Sequence, residues 1–200
     1  MANAVVAPWQ GNNYQARVFW LNALNLRARE SCVTEVTFEA AAPRAFDDVV
    51  VRYDPPIPGS GPTRVPADYQ QVKWHVAAGK PFGSADLVDP GFIGAERVSL
   101  LQRLRAARCN APAGSRFSLI TVSGIEREDA LWDLISQNDH TLLLDRLFDG
   151  TGKRSRMGRV RTLWREHLTL DSDDALRGML EGFRILHSQP SLEQMRDAVN

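Results

Sequence analysis

Asp47-Asp48-Val49-Val50-Val51-Arg52-Tyr53, followed after a proline-rich break by Tyr69-Gln70-Gln71-Val72-Lys73-Trp74-His75-Val76, decides how this chain is read. Both runs are short and rich in β-branched and aromatic residues, so each is expected to be a strand. Alternate side chains of a strand point to opposite faces, which puts Gln71 and Lys73 on one face, with His75 continuing it. Polar side chains that interrupt an otherwise apolar strand are costly to bury without a purpose. Between the two runs, residues 54 to 62 hold four prolines and two glycines and read as an irregular excursion.

Upstream, Cys32 to Glu39 alternates Val33, Glu35 and Thr37 against Thr34, Val36 and Phe38, the pattern of a strand with one polar side, with Pro43 marking the turn after it. Before that strand, helical spacing of Tyr14, Val18, Leu21 and Leu24 predicts a helix from an N-cap at Asn12 or Asn13 through Arg29. Downstream, Gly79 to Gly94 reads as a surface loop. Ala95 to Arg108 then reads as an amphipathic helix with Val98, Leu100, Leu101 and Leu104 on its apolar side. It leads to a fourth strand, Phe117 to Ser123, and a helical connection favours parallel pairing. The expected class is α/β with the order α-β-β-β-α-β.

Beyond Glu128 the pattern is helical throughout, over Ala130–Ile135, Thr141–Phe148, Arg161–Leu168 and Ala175–Leu186, the last capped by Ser172 or Asp173. The expected organisation is a core over residues 1–125 and a helical C-terminal subdomain over 126–200 that continues into a further domain.

Composition narrows the class less than the pattern does. At 44% hydrophobic and 24% charged, the 200-residue chain has an ordinary globular balance. Lys+Arg and Asp+Glu are both 24, so a nucleic-acid partner would have to be met by a local basic patch. Cys32 and Cys109 have no Cys or His neighbours at metal-ligand spacing, which fits a reducing, cytoplasmic setting. The N-terminus lacks a signal-peptide pattern and no apolar run reaches ~18 residues, so the chain is expected to be neither secreted nor membrane-spanning. Three lysines stand against 21 arginines, which draws notice to Lys73.

Phosphodiester hydrolysis needs a hard divalent cation on oxygen ligands, an activated water and a positive group near the scissile phosphate. A helix followed by a β-meander bearing Phe46-Asp47-Asp48-Val49-Val50 and then Gln71-Val72-Lys73 resembles the PD-(D/E)XK, restriction-endonuclease-like superfamily. More narrowly, the chain resembles the double-stranded DNA nuclease effector domains at the N-terminus of bacterial anti-phage proteins, including CBASS effectors and STAND NTPases, which also open on the Gly-x-x-Tyr-Gln helix matched by Gly11-Asn12-Asn13-Tyr14-Gln15. The resemblance spans residues 11–125. It implies Mg²⁺ or Mn²⁺ held by Asp48, with oxygens from Gln71, the Val72 carbonyl and Gln15. Lys73 would orient the attacking water, so Asp48, Gln71 and Lys73 would be the catalytic set. It further implies double-stranded DNA as substrate, other domains or subunits of a larger defence protein as partners, and a homo-oligomer as the active form.

Gln71 stands where the superfamily more often has an acid, which removes a negative charge from the metal site. Glu39, at the end of the first strand, is the residue able to restore one, and the competing reading is a solvated rim glutamate. Asp47 is read as a turn or edge residue, although a one-residue slip in register would exchange it with Asp48. His75 is read as structural. Lys153 to Arg165 holds six basic residues and no acid. Lys153, Arg154, Arg156, Arg159 and Arg161 are therefore candidate phosphate contacts, against the alternatives of a solvated face or an assembly surface. Gly150-Thr151-Gly152-Lys153 lacks phosphate-loop spacing, and Arg154 occupies the place that needs Ser or Thr.

Overall fold

The structure, a computed structural model, describes residues 3–40, 45–59, 62–74, 80–149 and 152–197, with the backbone alone described for 3–10 and 195–197. His75 and Pro43 lie outside these residues. Helix α1 (Asn3–Ala23) leads through a 3-10 turn (Leu24–Arg27) into β1 (Val33–Phe38), β2 (Val49–Pro58) and β3 (Arg64–Lys73). Two 3-10 turns, Asp86–Val88 and Pro90–Ile93, and helix α2 (Leu100–Arg108) carry the chain to β4 (Arg116–Thr121). Helices α3 (Ala130–Leu134), α4 (Leu144–Phe148), α5 (Arg156–His167) and α6 (Asp173–Leu180) precede β5 (Phe183–Leu186), and α7 (Leu192–Asp197) follows it.

The five strands form one mixed sheet in the order β1-β2-β3-β4-β5. β1 and β3 each pair antiparallel with β2, whereas β4 lies parallel to β3 and β5 parallel to β4. Alternation then divides the side chains between two cores. Val50, Tyr69, Phe117, Leu119, Phe183 and Ile185 pack with Leu100, Leu101 and Leu104 of α2 and with the later helices. Val49, Val51, Val72 and Ile120 pack with Tyr14 and Val18 of α1 on the other face. Full burial of one such Leu, Ile or Phe side chain stabilises by roughly 1.5–3 kcal/mol.

Four expectations are corrected. The first helix begins at Asn3 rather than at Asn12 or Asn13, and runs through Pro8 and Gly11. The proline-rich stretch is strand: β2 continues to Pro58 and β3 starts at Arg64. Pro55 and Pro56 are accommodated because the β2–β3 register shifts between Arg52 and Ile57, so neither leaves a ladder donor missing, and Pro58 pairs with Arg64 at the end of the ladder. The amphipathic helix starts five residues later than expected, at Leu100. Ser99 caps it by accepting from Gln102 N at 3.2 Å, while its own N–H donates to Gln102 Oε1 at 2.9 Å. Val98 therefore precedes the helix and is exposed. Finally, the stretch expected to be helical to Leu186 breaks at Gly182, whose φ of +67° ends α6 and starts β5.

That last strand extends the sheet into the region expected to be wholly helical. The division expected at residue 125 is crossed by a single apolar cluster, in which Phe46 and Leu119 share a core with Trp164, Leu176 and Ile185. Among the described residues no helix is long and apolar enough to cross a membrane.

Candidate active site

The end of β1 and the start of β2 are clasped by Glu39 N donating to Asp48 O at 3.0 Å and Ala40 N donating to Asp47 O at 2.9 Å. Asp48 has the strand parity of Val50, and Gln71 and Lys73 that of Tyr69, so all three face the side covered by α2. The register pairs Val49 with Gln70, which brings Asp48 beside Gln71. Gln71 Nε2 and the Val72 N–H, the latter at 2.7 Å, both donate to Asp48 Oδ2. From α2, Arg103 Nη1 donates to Gln71 Oε1 at 3.3 Å. A relay thus runs from a guanidinium through an amide to a carboxylate. Arg103 is the member that strand alternation cannot find, because a tertiary contact alone places it.

The Gln15 amide, from α1, is near enough to Asp48 to favour its ionised form. The Glu39 backbone adjoins Asp48 while its side chain is exposed, and its charge acts on Asp47. Lys73 lies against Gly94, where an added Cβ would stand 3.0 Å from Nζ. Gly94 adopts φ +69° as it closes the Pro90–Ile93 turn, a left-handed conformation that favours glycine.

Burial pushes the Asp48 carboxyl up to about 6, with the Asp47 charge adding to the rise and the Val72 N–H, the Gln15 amide and Arg103 opposing it. Lys73 is lowered by burial and by Arg103, against the pull of Asp48. Burial thus outweighs the nearby cations at Asp48. Below the ordinary carboxyl pKa the group is neutral in both states and costs nothing; the destabilisation grows as pH rises towards about 6 and is constant above it. Asp48→Asn is accordingly expected to be more stable than the parent at pH 7.5 in EDTA, by on the order of 2 kcal/mol, with the advantage fading by pH 4. Calorimetric melts across that range check this, and a less stable variant at pH 7.5 would overturn it.

The donors suit a hard cation. Asp48 supplies a carboxylate, and the Gln15 and Gln71 amides and the Val72 carbonyl supply neutral oxygens. Gln71 would offer its oxygen only after turning its amide over and releasing Arg103. Among the described residues no group of three His, Cys, Asp or Glu side chains is assembled for a metal. A centre with one acid fits Mg²⁺, which keeps several waters and takes one or two carboxylates together with a substrate phosphate.

The basic stretch divides in two. Lys153, Arg154 and Arg159 are exposed, with Arg159 donating to the Arg154 carbonyl at 3.0 Å. Arg156 pairs with Asp133 at 2.6 Å and also donates to the Glu128 carbonyl. Arg161 is 6% exposed. It donates to the Leu147 and Phe148 carbonyls at 2.7 and 3.3 Å and pairs with Asp173 at 3.2 Å. Arg161 is thus a scaffold residue, a correction to its reading as a phosphate contact.

No protein-family model matches the chain. The chain is similar to CD-NTase-associated protein 4 of Enterobacter hormaechei subsp. hoffmannii (strain UCI 50), at 51% identity over 201 residues. The alignment takes in 100% of this chain and 40% of that protein, so the chain spans about two fifths of the curated relative's length.

Proposed function

We propose that this chain is a divalent-metal-dependent endonuclease for double-stranded DNA, built on a restriction-endonuclease-like core and serving as the effector portion of a larger CBASS-type anti-phage protein in the cytoplasm. The observation that carries this reading is the convergence of Asp48, Gln71 and Lys73 on one face, with Asp48 bonded to both Gln71 and the Val72 N–H. The name of the Enterobacter relative, which ties that protein to a CD-NTase, supports the defence setting.

Asp48, with oxygens from Gln71, Val72 and Gln15, would hold Mg²⁺ or Mn²⁺. When bound, the cation would polarise the scissile phosphate and acidify a water. Lys73, on the same face and half-buried, orients the attacking water and offsets charge developing on the phosphate. Arg103 fixes the Gln71 amide. Gly94 keeps the Lys73 ammonium within the site by leaving it room.

Digestion of supercoiled plasmid in Mg²⁺, in Mn²⁺ and in EDTA tests the proposal: cleavage in either metal and none in EDTA is expected. The neutral Gln71 and the lack of an acidic triad favour a second reading, a catalytically silent module that binds nucleic acid or mediates assembly. Intact plasmid in both metals, with DNA binding retained, would select that reading.

Self-association follows from cutting two strands with single sites, because a symmetric dimer presents two. Double-strand cleavage per protomer is expected to rise with protein concentration, and a constant rate per protomer over a hundredfold dilution would argue for a self-sufficient monomer. DNA contact is assigned to the solvated cations of the basic stretch. Replacing Lys153, Arg154 and Arg159 together by glutamine is expected to weaken binding to all sequences alike and to reduce the log K against log salt slope by roughly 2–3. Fluorescence anisotropy at several salt concentrations reads it, and an unchanged slope would make the stretch an assembly surface.

A further inference from the structure

At the end of the sheet opposite Asp48, where β3, β4 and β5 begin, the chain encloses a hollow of about 490 Å³ whose lining includes Arg108, Arg116, Arg184, Ser115, Thr141 and Gly182. From Val65 to Lys73 a strand rises roughly 26 Å at ~3.3 Å per residue, so this hollow is separate from the Asp48 site. It wraps the strand ends, which lets an arginine from α2 and two from the other face of the sheet reach the same space.

The three guanidinium groups are compensated unequally. Arg116 pairs with Asp68 at 2.9 Å, and Asp68 also accepts from Ser118 Oγ at 2.8 Å. Arg184 donates through Nε to the Asp139 backbone carbonyl at 2.9 Å. Arg108 donates through Nε to the Met179 carbonyl at 2.9 Å and through Nη2 to the Glu181 carbonyl. Neither Arg108 nor Arg184 makes an ion pair among the described residues. The Asp139 carboxylate is turned into its own loop, accepting from Thr141 N and Oγ1 at 3.2 and 2.8 Å, while Glu181 is exposed. Burial lowers the proton affinity of Arg184, and the neighbouring Arg116 charge lowers it further. Arg108 also lies over the Phe117 ring at 4.9 Å. Half-buried guanidinium groups bonded to carbonyls and to no carboxylate keep donors and charge in hand for an oxyanion.

The volume falls within the ~300–1,000 Å³ typical of small-molecule sites, more room than a bare phosphate fills. Asp139 and Glu181 at the lining oppose a long polyanion and leave space for a single phosphate.

We propose that this hollow binds a small phosphomonoester, its phosphate held by the Arg184 and Arg108 guanidinium groups and its neutral body filling the volume that a bare phosphate leaves. The proposal does not depend on nuclease activity. Isothermal titration of the 200-residue protein in EDTA with adenosine monophosphate, adenosine and inorganic phosphate tests it. Submillimolar binding of the monophosphate is expected, at least tenfold tighter than either adenosine or phosphate. Arg184→Gln is expected to weaken it at least tenfold, with Arg108→Gln as the second variant should the first fail to fold by its melting curve. Lys73→Ala is expected to bind as the parent does. The proposal is overturned by absence of binding at millimolar monophosphate, by adenosine or phosphate binding equally well, by arginine variants that fold and bind normally, or by loss of binding in Lys73→Ala.

Discussion

Lys73→Met is expected to lower the single-turnover rate of plasmid cleavage by about 100- to 1,000-fold at saturating metal, the scale seen when one preorganised charge-stabilising donor is removed from a transition state. Methionine keeps the length and apolar stem of lysine, so the change removes the charge and leaves the packing against Gly94 nearly intact. Because burial already disfavours the charged ammonium, its loss should leave the Tm unchanged or raise it. Lys73→Arg should not rescue, since a planar fork is broader than an ammonium and would not place its charge where Nζ stands. DNA binding in EDTA should persist, so the effect falls on the rate and not on the affinity. Cleavage by Lys73→Met within tenfold of the parent rate would remove Lys73 from the chemistry.

The candidate set was legible because strand alternation is a strict rule. Once Asp47–Tyr53 and Tyr69–Val76 read as strands, Gln71 and Lys73 had to share a face, and the structure brings Asp48 to that face. What escaped is what local pattern does not carry. Arg103 looks like any solvated arginine of an amphipathic helix until α2 lies across β3. The Pro55–Pro56 pair reads as a breaker because proline removes donors, and only the register shift with β3 reveals that no donor was needed there. The β5 strand hid behind the apolar run of α6, although Gly182 was a stop signal in plain view, as its positive φ makes clear. The basic stretch misled for a related reason: sequence gives the sign of a charge, but only packing gives its partner.

Arg161 makes that distinction measurable. Its guanidinium is buried on α5, donating to carbonyls at the end of α4 and pairing with Asp173 in the first turn of α6, so one side chain ties three helices together. Arg161→Ala removes the donor, leaves the Leu147 carbonyl short of its 2.7 Å partner and unpairs Asp173 from its most buried cation. Breaking a buried pair by deleting one partner costs more than the pair's net worth, because the remaining groups stay desolvated. Asp173 is 43% exposed and keeps Arg165 at 3.0 Å, so its side of the loss is softened by water and by that second cation. The expected destabilisation is about 3 kcal/mol, at the low end for such a deletion. In a chain of this size that corresponds to a Tm lower by roughly 6–12 °C. Lys153→Gln with Arg154→Gln, by contrast, should leave the Tm within about 1 °C, since both groups are exposed and surface changes of this kind are nearly neutral. Paired thermal melts and DNA titrations separate the two roles: Arg161→Ala should lower stability while the folded protein binds DNA with the parent's salt slope. An unaltered Tm together with a reduced slope would return Arg161 to the DNA-facing surface.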